Sequence, residues 1–399
     1  MQNAYIVSSV RTAVGKANRG ALRHFRPEEM GAAAVRAAIG RVRGLEPENV
    51  DDVLVGCAFP EGPQGQNVGR IIAQKAGLPD EVPGATVNRF CSSGLQTIAM
   101  ATQAISAGFA DVVVAGGAES MSLVPMTGFF FQPDPATVQD DLNVFVSMGI
   151  TAENVSEKYD VSREDQDRFA LRSHERALDA IQAGRFDKEI VPLDVDEVVF
   201  ADGHASNDGR TERVRQVFSV DEGPRPDTNF EALSALRPVF RRGGTVTPGN
   251  ASQRSDGAAA AVVMSERRMK ELGVQPLARL VAFALAGVPP ELMGVGPIEA
   301  IRKALNQADL TLEDIGLVEL NEAFAAQALA VIREVGLDER TVNVNGGAIA
   351  LGHPLGCTGA KLTATLIHEM QRRGVRYGIC TMCVGGGMGA AGIIENLML

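Results

Sequence analysis

A cysteine lies at a turn between two segments of different character. The apolar run 85–87 predicts the end of a buried strand, whereas residues 95–105 repeat apolar side chains at helical spacing. Cys91 therefore falls at a strand-to-helix turn, where Ser92 and Ser93 could cap the helix. Unpaired N–H groups and the helix dipole favour a thiolate there, and the thiolate is the form that attacks carbonyls. Taken alone, however, a free cysteine is more often a small buried hydrophobe.

A histidine lies in a second candidate stretch, residues 345–359, among five glycines. A glycine-rich loop lets a ligand approach the backbone closely. The chain has only five histidines, so the placement of His353 between Gly352 and Pro354 favours a functional role. The alternative is a structural histidine that hydrogen-bonds the loop.

Two further stretches end predicted strands on polar or reactive side chains. Cys383 is followed by glycines, among them Gly385, whose bare N–H groups suit an oxyanion site. Cys380 and Cys383 could instead form a redox pair, but this C-x-x-C ends a strand rather than opening a helix. Asn321 ends another strand, as a helix N-cap candidate that could also position a water molecule.

The predicted elements that carry these residues form two similar series. Strands and helices alternate up to residue 118, and the order restarts at residue 278, with roughly 80 residues from first strand to turn in each half. We therefore predict a duplicated α/β chain. Its N-terminal half is 1–120 with 245–270, its C-terminal half is 271–399, and 121–244 forms a large covering loop domain.

The covering domain differs in amino-acid composition from the two halves. It contains the aromatic run 129–131, a helix predicted at 162–183, and the stretch 201–227, which carries arginines among Gly, Asn and Pro. These arginines are Arg210, Arg213, Arg215 and Arg225. They would supply a local positive field for an anionic ligand.

Composition excludes several classes of function. The 399 residues are 45% hydrophobic, contain 43 glycines and no tryptophan, and carry a net charge of −11. This charge argues against a general affinity for nucleic acid or anionic membranes. The five cysteines have no zinc-finger spacing, so we predict no metal site, and their odd number fits a reducing cytoplasm. The first residues predict a strand rather than a signal peptide, and without about 18 consecutive apolar residues we expect no membrane span.

Four stretches, in this order, resemble the thiolases. They are Asn-Arg-Phe-Cys-Ser-Ser-Gly at 88–94, Asn-Glu-Ala-Phe at 321–324, Gly-His-Pro-Leu-Gly at 352–356 and Cys-Val-Gly-Gly-Gly at 383–387. The resemblance extends from residue 5 to residue 395 and includes 117–122, 148–154 and 249–252. It implies duplicated βαβαβαββ halves in a five-layered α-β-α-β-α fold beneath the covering domain.

The resemblance also implies catalytic roles. Cys91 would be the acylated nucleophile, activated by His353, and Cys383 would be the acid/base. His353 and a water held by Asn321 would stabilise the enolate oxygen. The backbone N–H groups of Cys91 and Gly385 would form a second oxyanion hole.

Coenzyme A would be a substrate, with no tightly bound cofactor. The resemblance suggests CoA or acyl contacts at Arg225, Ser252, Met148, Met293 and Phe324. Each also has an ordinary interpretation as a solvated arginine, a turn serine or a core side chain.

Ser147, where biosynthetic members generally have histidine, favours a degradative 3-ketoacyl-CoA thiolase. The segment between Glu119 and Met148, shorter than in biosynthetic members, and the Cys-Ser-Ser-Gly sequence favour the same assignment. Acetoacetyl-CoA thiolase is the alternative. Retention of Cys91, Asn321, His353 and Cys383 argues against a non-catalytic acyl-CoA-binding protein, and Cys383 argues against a decarboxylating ketoacyl synthase. We also expect a homodimer or homotetramer, and the resemblance suggests a β-oxidation subunit as a partner.

Overall fold

Strands and helices alternate in both halves of the chain, as the sequence predicts. The computed structural model describes residues 2–200 and 211–399. The strands are β1 (Ala4–Thr12), β2 (Gly15–Lys16), β3 (Asp52–Gly56), β4 (Gly84–Val87), β5 (Val112–Ser120), β6 (Ile190–Val191), β7 (Leu193–Phe200), β8 (Thr211–Phe218), β9 (Ser255–Ser265), β10 (Ala278–Gly287), β11 (Ile315–Leu320), β12 (Tyr377–Val384) and β13 (Met388–Asn396). The helices are α1 (Pro27–Gly40), α2 (Val68–Lys75), α3 (Ser93–Ser106), α4 (Pro135–Asp140), α5 (Met148–Lys158), α6 (Arg163–Gln182), α7 (Phe230–Ser234), α8 (Glu266–Leu272), α9 (Gly296–Ala308), α10 (Ala325–Val335), α11 (Ala348–Leu351) and α12 (Leu355–Arg373).

The two halves have the same strand order. The N-terminal half runs β4-β3-β5-β9-β1 and the C-terminal half runs β11-β12-β13-β10. In each half the parallel pair, β3 with β5 or β11 with β12, is followed by two antiparallel pairings. Ile6 pairs with Ala278 and joins β1 to β10. The duplication expected from element order is therefore present in the sheet itself.

One strand predicted in the C-terminal half is much reduced. Residues 342–344 form only an isolated parallel bridge, between Val342 and Val318. The side chain of Asn343 replaces the ladder, because it accepts from Leu320 N at 2.9 Å and donates to Leu320 O at 2.8 Å. Asn343 also has a φ of 46°, which turns the chain away from a strand conformation.

Helices α3 and α12 pack together between the two half-sheets, while α1 and α2 cover one outer face and α9 and α10 the other. Glycines allow the close approach of the central pair. A Cβ added to Gly94 would lie 2.6 Å from Ala360 N, and one added to Gly359 would lie 2.3 Å from Leu95 N. This contact brings the N-terminal ends of α3 and α12 together, where both candidate loops lie.

The segment between β5 and β9 adds elements outside the duplicated pattern. It contributes helices α4 to α7, the β7–β8 hairpin, and β6, which pairs in parallel with β1. The helix predicted at 162–183 is α6, whose N-cap Ser162 accepts a hydrogen bond from Asp165 N at 3.1 Å. Residues 201–210, including Arg210 of the predicted basic stretch, lie outside the described residues. The domain boundaries at 121, 244 and 270 stay predictions.

Within residues 2–200 and 211–399, no helix is both long enough and apolar enough to cross a membrane.

Candidate active site

Cys91 lies in a tight turn that connects β4 to α3. Residues Phe90–Ser92 form a single 3-10 turn, and Phe90 has a φ of 42°, an uncommon conformation for a bulky residue. The amide of Phe90 donates to Asn88 Oδ1 at 2.9 Å, which holds this turn. The strand-to-helix position predicted for Cys91 is confirmed.

The two serines after Cys91 do not cap the helix through their side chains, contrary to the expectation. Ser92 Oγ donates to Arg89 O at 3.1 Å, and Ser93 Oγ donates to Phe90 O at 2.7 Å. Their hydroxyls therefore stabilise the turn that carries Cys91.

The thiol of Cys91 is half-buried and faces two backbone donors. The N–H groups of Gly385 and of Cys91 itself point at its sulfur and lower its pKa, but burial acts more strongly and raises that pKa to about 12. The expectation that the helix terminus holds a thiolate is therefore wrong for the resting site. The thiol needs a base before it can attack.

Cys383 is the second thiol of the site and is fully buried near the end of β12. Burial raises its pKa above the ordinary value, and negative charge on Cys91 would raise it further. The two sulfur atoms therefore influence each other, and they would resist simultaneous ionisation. Cys380, three residues earlier, instead directs its sulfur toward Gly359 O at 3.8 Å, which does not support a redox pair.

His353 is oriented by the first turn of α12. Thr358 Oγ1 donates to Pro354 O at 2.9 Å and therefore accepts from His353 Nδ1 at 2.6 Å. The lone pair of His353 is thus on Nε2. Burial lowers the His353 pKa to about 3, which keeps the ring neutral and its Nε2 lone pair free of a proton.

Asn321 places its amide beside that lone pair. Its Nδ2 atom is 3.2 Å from His353 Nε2, and its fully buried Oδ1 has no hydrogen-bond partner among the residues that the structure describes. An unpartnered buried oxygen of this kind fits a bridging water. Asn321 is not the helix N-cap expected from the sequence, because α10 begins at Ala325 with Phe324 as its N-cap.

The glycines after Cys383 form a tight turn between β12 and β13. Gly386 and Gly387 each have a φ of 80°, and a Cβ on Gly387 would lie 2.3 Å from Val288 O. Only glycine fits this geometry without strain. The turn directs the Gly385 N–H at Cys91.

Three of the predicted substrate contacts surround Cys383. Met148, Met293 and Phe324 belong to its apolar cluster. Ser252 lies beside them, with its N–H donating to Ala323 O at 2.9 Å. Arg225, by contrast, is exposed on a loop of the covering segment, where its backbone N–H donates to His174 Nδ1 at 3.2 Å.

Sequence reasoning missed two kinds of supporting residue. Thr358 orients His353, and Glu119 accepts hydrogen bonds from Ala58 N at 2.7 Å and Gly356 N at 2.8 Å. Thr358 follows His353 by only five residues, a local spacing that could have suggested the contact. Glu119 offered no such signal, because its partners lie far away in the chain.

Known proteins match this chain over its whole length. The family model described as Thiolase, N-terminal domain, matches residues 4–267, and that described as Thiolase, C-terminal domain, matches residues 274–396. The 3-ketoacyl-CoA thiolase of Bacillus subtilis (strain 168) is 54% identical over 99% of this chain and 100% of that protein. The acetyl-CoA acetyltransferase of Escherichia coli (strain K12) is 46% identical over 100% of both chains.

Solved structures agree with this result. The crystal structure of Bacillus anthracis acetyl-CoA acetyltransferase superposes with a TM-score of 0.90 at 46% identity, covering 100% of this chain and 99% of the other. Human mitochondrial 3-ketoacyl-CoA thiolase superposes with a TM-score of 0.87 at 39% identity, covering 99% of both chains.

Proposed function

Since this acyltransferase belongs to the thiolase family, we propose that it is a 3-ketoacyl-CoA thiolase of fatty-acid β-oxidation. It would cleave a 3-ketoacyl-CoA with CoA, giving acetyl-CoA and a shortened acyl-CoA. The observation that carries the chemistry is the half-buried Cys91 thiol, which faces two N–H donors and interacts electrostatically with a second thiol, Cys383.

The first half-reaction transfers the acyl group to the protein. His353 Nε2 takes the proton of Cys91, and the thiolate attacks the 3-keto carbon. The N–H groups of Cys91 and Gly385 stabilise the resulting oxyanion. The bond between C2 and C3 then breaks, and Cys383 gives its proton to the acetyl-CoA carbanion, whose enolate oxygen is stabilised by His353 and a water on Asn321.

The second half-reaction releases the acyl group. The Cys383 thiolate takes the proton of an incoming CoA thiol, whose sulfur attacks the acyl-Cys91 thioester. Cys91 leaves as a thiolate and recovers its proton from His353. Two thiols are needed because one is covalently occupied while the other moves protons.

Substrate preference is proposed from the entrance of the site. Ser147 is the exposed N-cap of α5, and the next residue, Met148, packs in the Cys383 cluster. A small serine there supports a roomy acyl pocket, and the 54% identity to a 3-ketoacyl-CoA thiolase supports the same activity. The 46% identity to an acetyl-CoA acetyltransferase favours acetoacetyl-CoA thiolase as the second candidate.

CoA-dependent thiolysis of 3-ketoacyl-CoAs of graded length tests this proposal. We expect rates on medium or longer substrates that equal or exceed the rate on acetoacetyl-CoA, with the Cys91→Ala protein as the blank. Activity confined to the four-carbon substrate would instead identify an acetoacetyl-CoA thiolase.

We also propose a cytoplasmic homodimer or homotetramer, which binds CoA through Arg225 and Ser252 and acts with or without a β-oxidation partner subunit. Phe129, Phe130 and Phe131 are 57%, 87% and 60% exposed, an unusual run of open aromatic surface. Light scattering during size-exclusion chromatography measures the assembly. A stable, active monomer would contradict it.

A further inference from the structure

The loop that carries His353 is held on one side by a buried carboxylate of the N-terminal half. Glu119, near the end of β5, accepts from Gly356 N at 2.8 Å through Oε2. The same oxygen accepts from Ala58 N at 2.7 Å, while Oε1 accepts from Gln64 Nε2 at 2.5 Å. The carboxylate thus ties the loop after β3 to the first turn of α12.

A second buried carboxylate holds the other side of the same loop. Glu322, which follows Asn321, accepts from Ile349 N at 3.2 Å and from Ser173 Oγ at 2.6 Å. Its other oxygen accepts from Asn343 Nδ2 at 2.9 Å. Ser173 Oγ also accepts from Gly347 N at 3.0 Å, which extends the contact along the loop.

Each carboxylate packs directly on a glycine of the loop. A Cβ on Gly356 would lie 2.7 Å from Glu119 Oε2, and a Cβ on Gly347 would lie 2.1 Å from Glu322 Cδ. Any side chain at either glycine would displace the carboxylate that meets it. Gly347 and Gly356 therefore allow close contact between the loop and the two carboxylates, one near each end of the loop.

Both carboxylates have the hydrogen-bonding pattern of an ionised group. Burial raises the pKa of Glu119 and of Glu322 above the ordinary value, and the hydrogen bonds that they accept offset only part of this effect. Their described partners only donate to them, through peptide N–H groups, amide groups, the Ser173 hydroxyl and the Cys57 thiol. Hydrogen bonds to a buried anion are stronger than those between neutral groups, which makes these stiff attachments.

We propose that Glu119 and Glu322 are positioning residues that fix the loop between Ile349 and Gly356 and thereby set the position of His353 Nε2 relative to Cys91. The two attachment points lie four residues before His353 and three residues after it. One carboxylate comes from each half of the chain, so the base is held across the interface between the halves. The inference rests on the proposed function, because it assigns His353 as the base for Cys91.

The variants Glu119→Gln and Glu322→Gln test the proposal while keeping side-chain size. A glutamine places an N–H group against an existing donor, so at least one of the hydrogen bonds that fix this side chain is lost, and those that remain are to a neutral acceptor. We expect kcat to fall by about 10–100-fold with little change in KM, because a small misplacement of a catalytic group carries a cost of that order. Alkylation of Cys91 by iodoacetamide near neutral pH should slow as well.

Glu395→Gln is the matched control. Glu395 is only 4% exposed, and Arg279 and Arg376 donate to it from positions on β10 and before β12, remote from the loop. This variant should lose stability without losing kcat or Cys91 alkylation. The proposal is overturned if the two test variants fold and keep wild-type kcat and alkylation, or if Glu395→Gln loses both to the same extent.

Ser173→Ala covers the case in which a glutamine variant does not fold. It removes one donor to Glu322 and the acceptor for Gly347 N, but it leaves the carboxylate in place. A severalfold decrease in Cys91 alkylation at unchanged thermal stability supports the proposal, and wild-type alkylation overturns it. Since alkylation needs no CoA substrate, this result is independent of the proposed 3-ketoacyl-CoA activity.

Discussion

The two halves of the chain share a scaffold but divide the chemistry unequally. Gly56 pairs with Gly117 in the N-terminal half, and Leu320 pairs with Thr381 at the corresponding strand ends of the C-terminal half. The residue after Gly56 is Cys57, and the residue after Leu320 is Asn321. The same strand position therefore bears a buried thiol in one half and a candidate catalytic amide in the other.

The second members of those pairs show a stronger contrast. Two residues beyond Gly117 and Thr381, the halves carry Glu119 and Cys383. Glu119 accepts four hydrogen bonds from nitrogen atoms, whereas Cys383 lies in an apolar cluster. The hydrogen-bonded carboxylate of Glu119 can hold loops in place. The Cys383 thiol, in apolar surroundings, is available to exchange a proton, so the two environments favour different roles.

This difference teaches that the proposed active site needs both halves. In the proposed mechanism the N-terminal half supplies the nucleophile, and the C-terminal half supplies the base, the second thiol and one N–H of the oxyanion hole. The close packing of α3 on α12 is what brings the two sets together. Disturbing one half should therefore remove one defined part of the reaction.

The largest effect should follow from removing the nucleophile of the N-terminal half. Cys91→Ala should abolish both acylation and thiolysis, because no other thiol has the same pair of N–H donors in the proposed mechanism. Intact-protein mass spectrometry after incubation with a 3-ketoacyl-CoA, followed by peptide mapping, locates the acyl group. Cys57→Ala is the control, and this variant should still be acylated at Cys91. An acyl group on Cys383 would reverse the assignment.

Removing the second thiol should separate proton transfer from acylation. We expect Cys383→Ala to lower turnover by about 10²–10⁴-fold, the usual contribution of a positioned acid or base. Cys91 should still react with iodoacetamide. Cys380→Ala, on the same strand, provides the comparison and should keep most of the turnover. Near-normal turnover in Cys383→Ala would show that the C-terminal half does not supply the acid.

The pH dependence of Cys91 alkylation tests whether the base of one half serves the thiol of the other. A thiol with a pKa of about 12 gains thiolate by about tenfold per pH unit around neutrality, so His353→Asn should show that steep dependence. Because burial keeps His353 neutral throughout this range, transfer of the Cys91 proton to Nε2 during the attack is a pH-independent route that should make the wild-type profile flatter. Parallel profiles would contradict base assistance.

The smallest effect concerns stability and the loop of Arg225. His174 has its pKa lowered to about 4, by burial first and then by Arg225 and Lys16. As pH falls below 6.5, the unfolded chain binds a proton that the folded chain excludes, so the native state loses stability. Relative to His174→Asn, the wild type should lose about 1 kcal/mol between neutrality and one pH unit below 6.5.

Denaturant titrations of both proteins at each pH measure that difference. The comparison of variants removes the contributions of carboxylates that titrate in the same range. A constant difference between wild type and His174→Asn would show that His174 does not titrate as its environment predicts.

The sequence by itself determined the scaffold and the reactive side chains. Helical spacing and apolar runs predicted α3, α6 and the main strands, because periodicity is a local property of the chain. The four reactive side chains could be identified because each stands next to a turn signal or glycines. The duplication was also visible, although only as a repeated order of elements.

Only the tertiary structure decided how those side chains behave. The helix dipole suggested a thiolate at Cys91, but burial, which depends on distant residues, outweighs the N–H donors and keeps the thiol protonated. The expected strand at 342–344 is lost to a side chain that bonds Leu320, 23 residues earlier. The attachment of Gly356 to Glu119 spans 237 residues, and no local pattern encodes a contact of that kind.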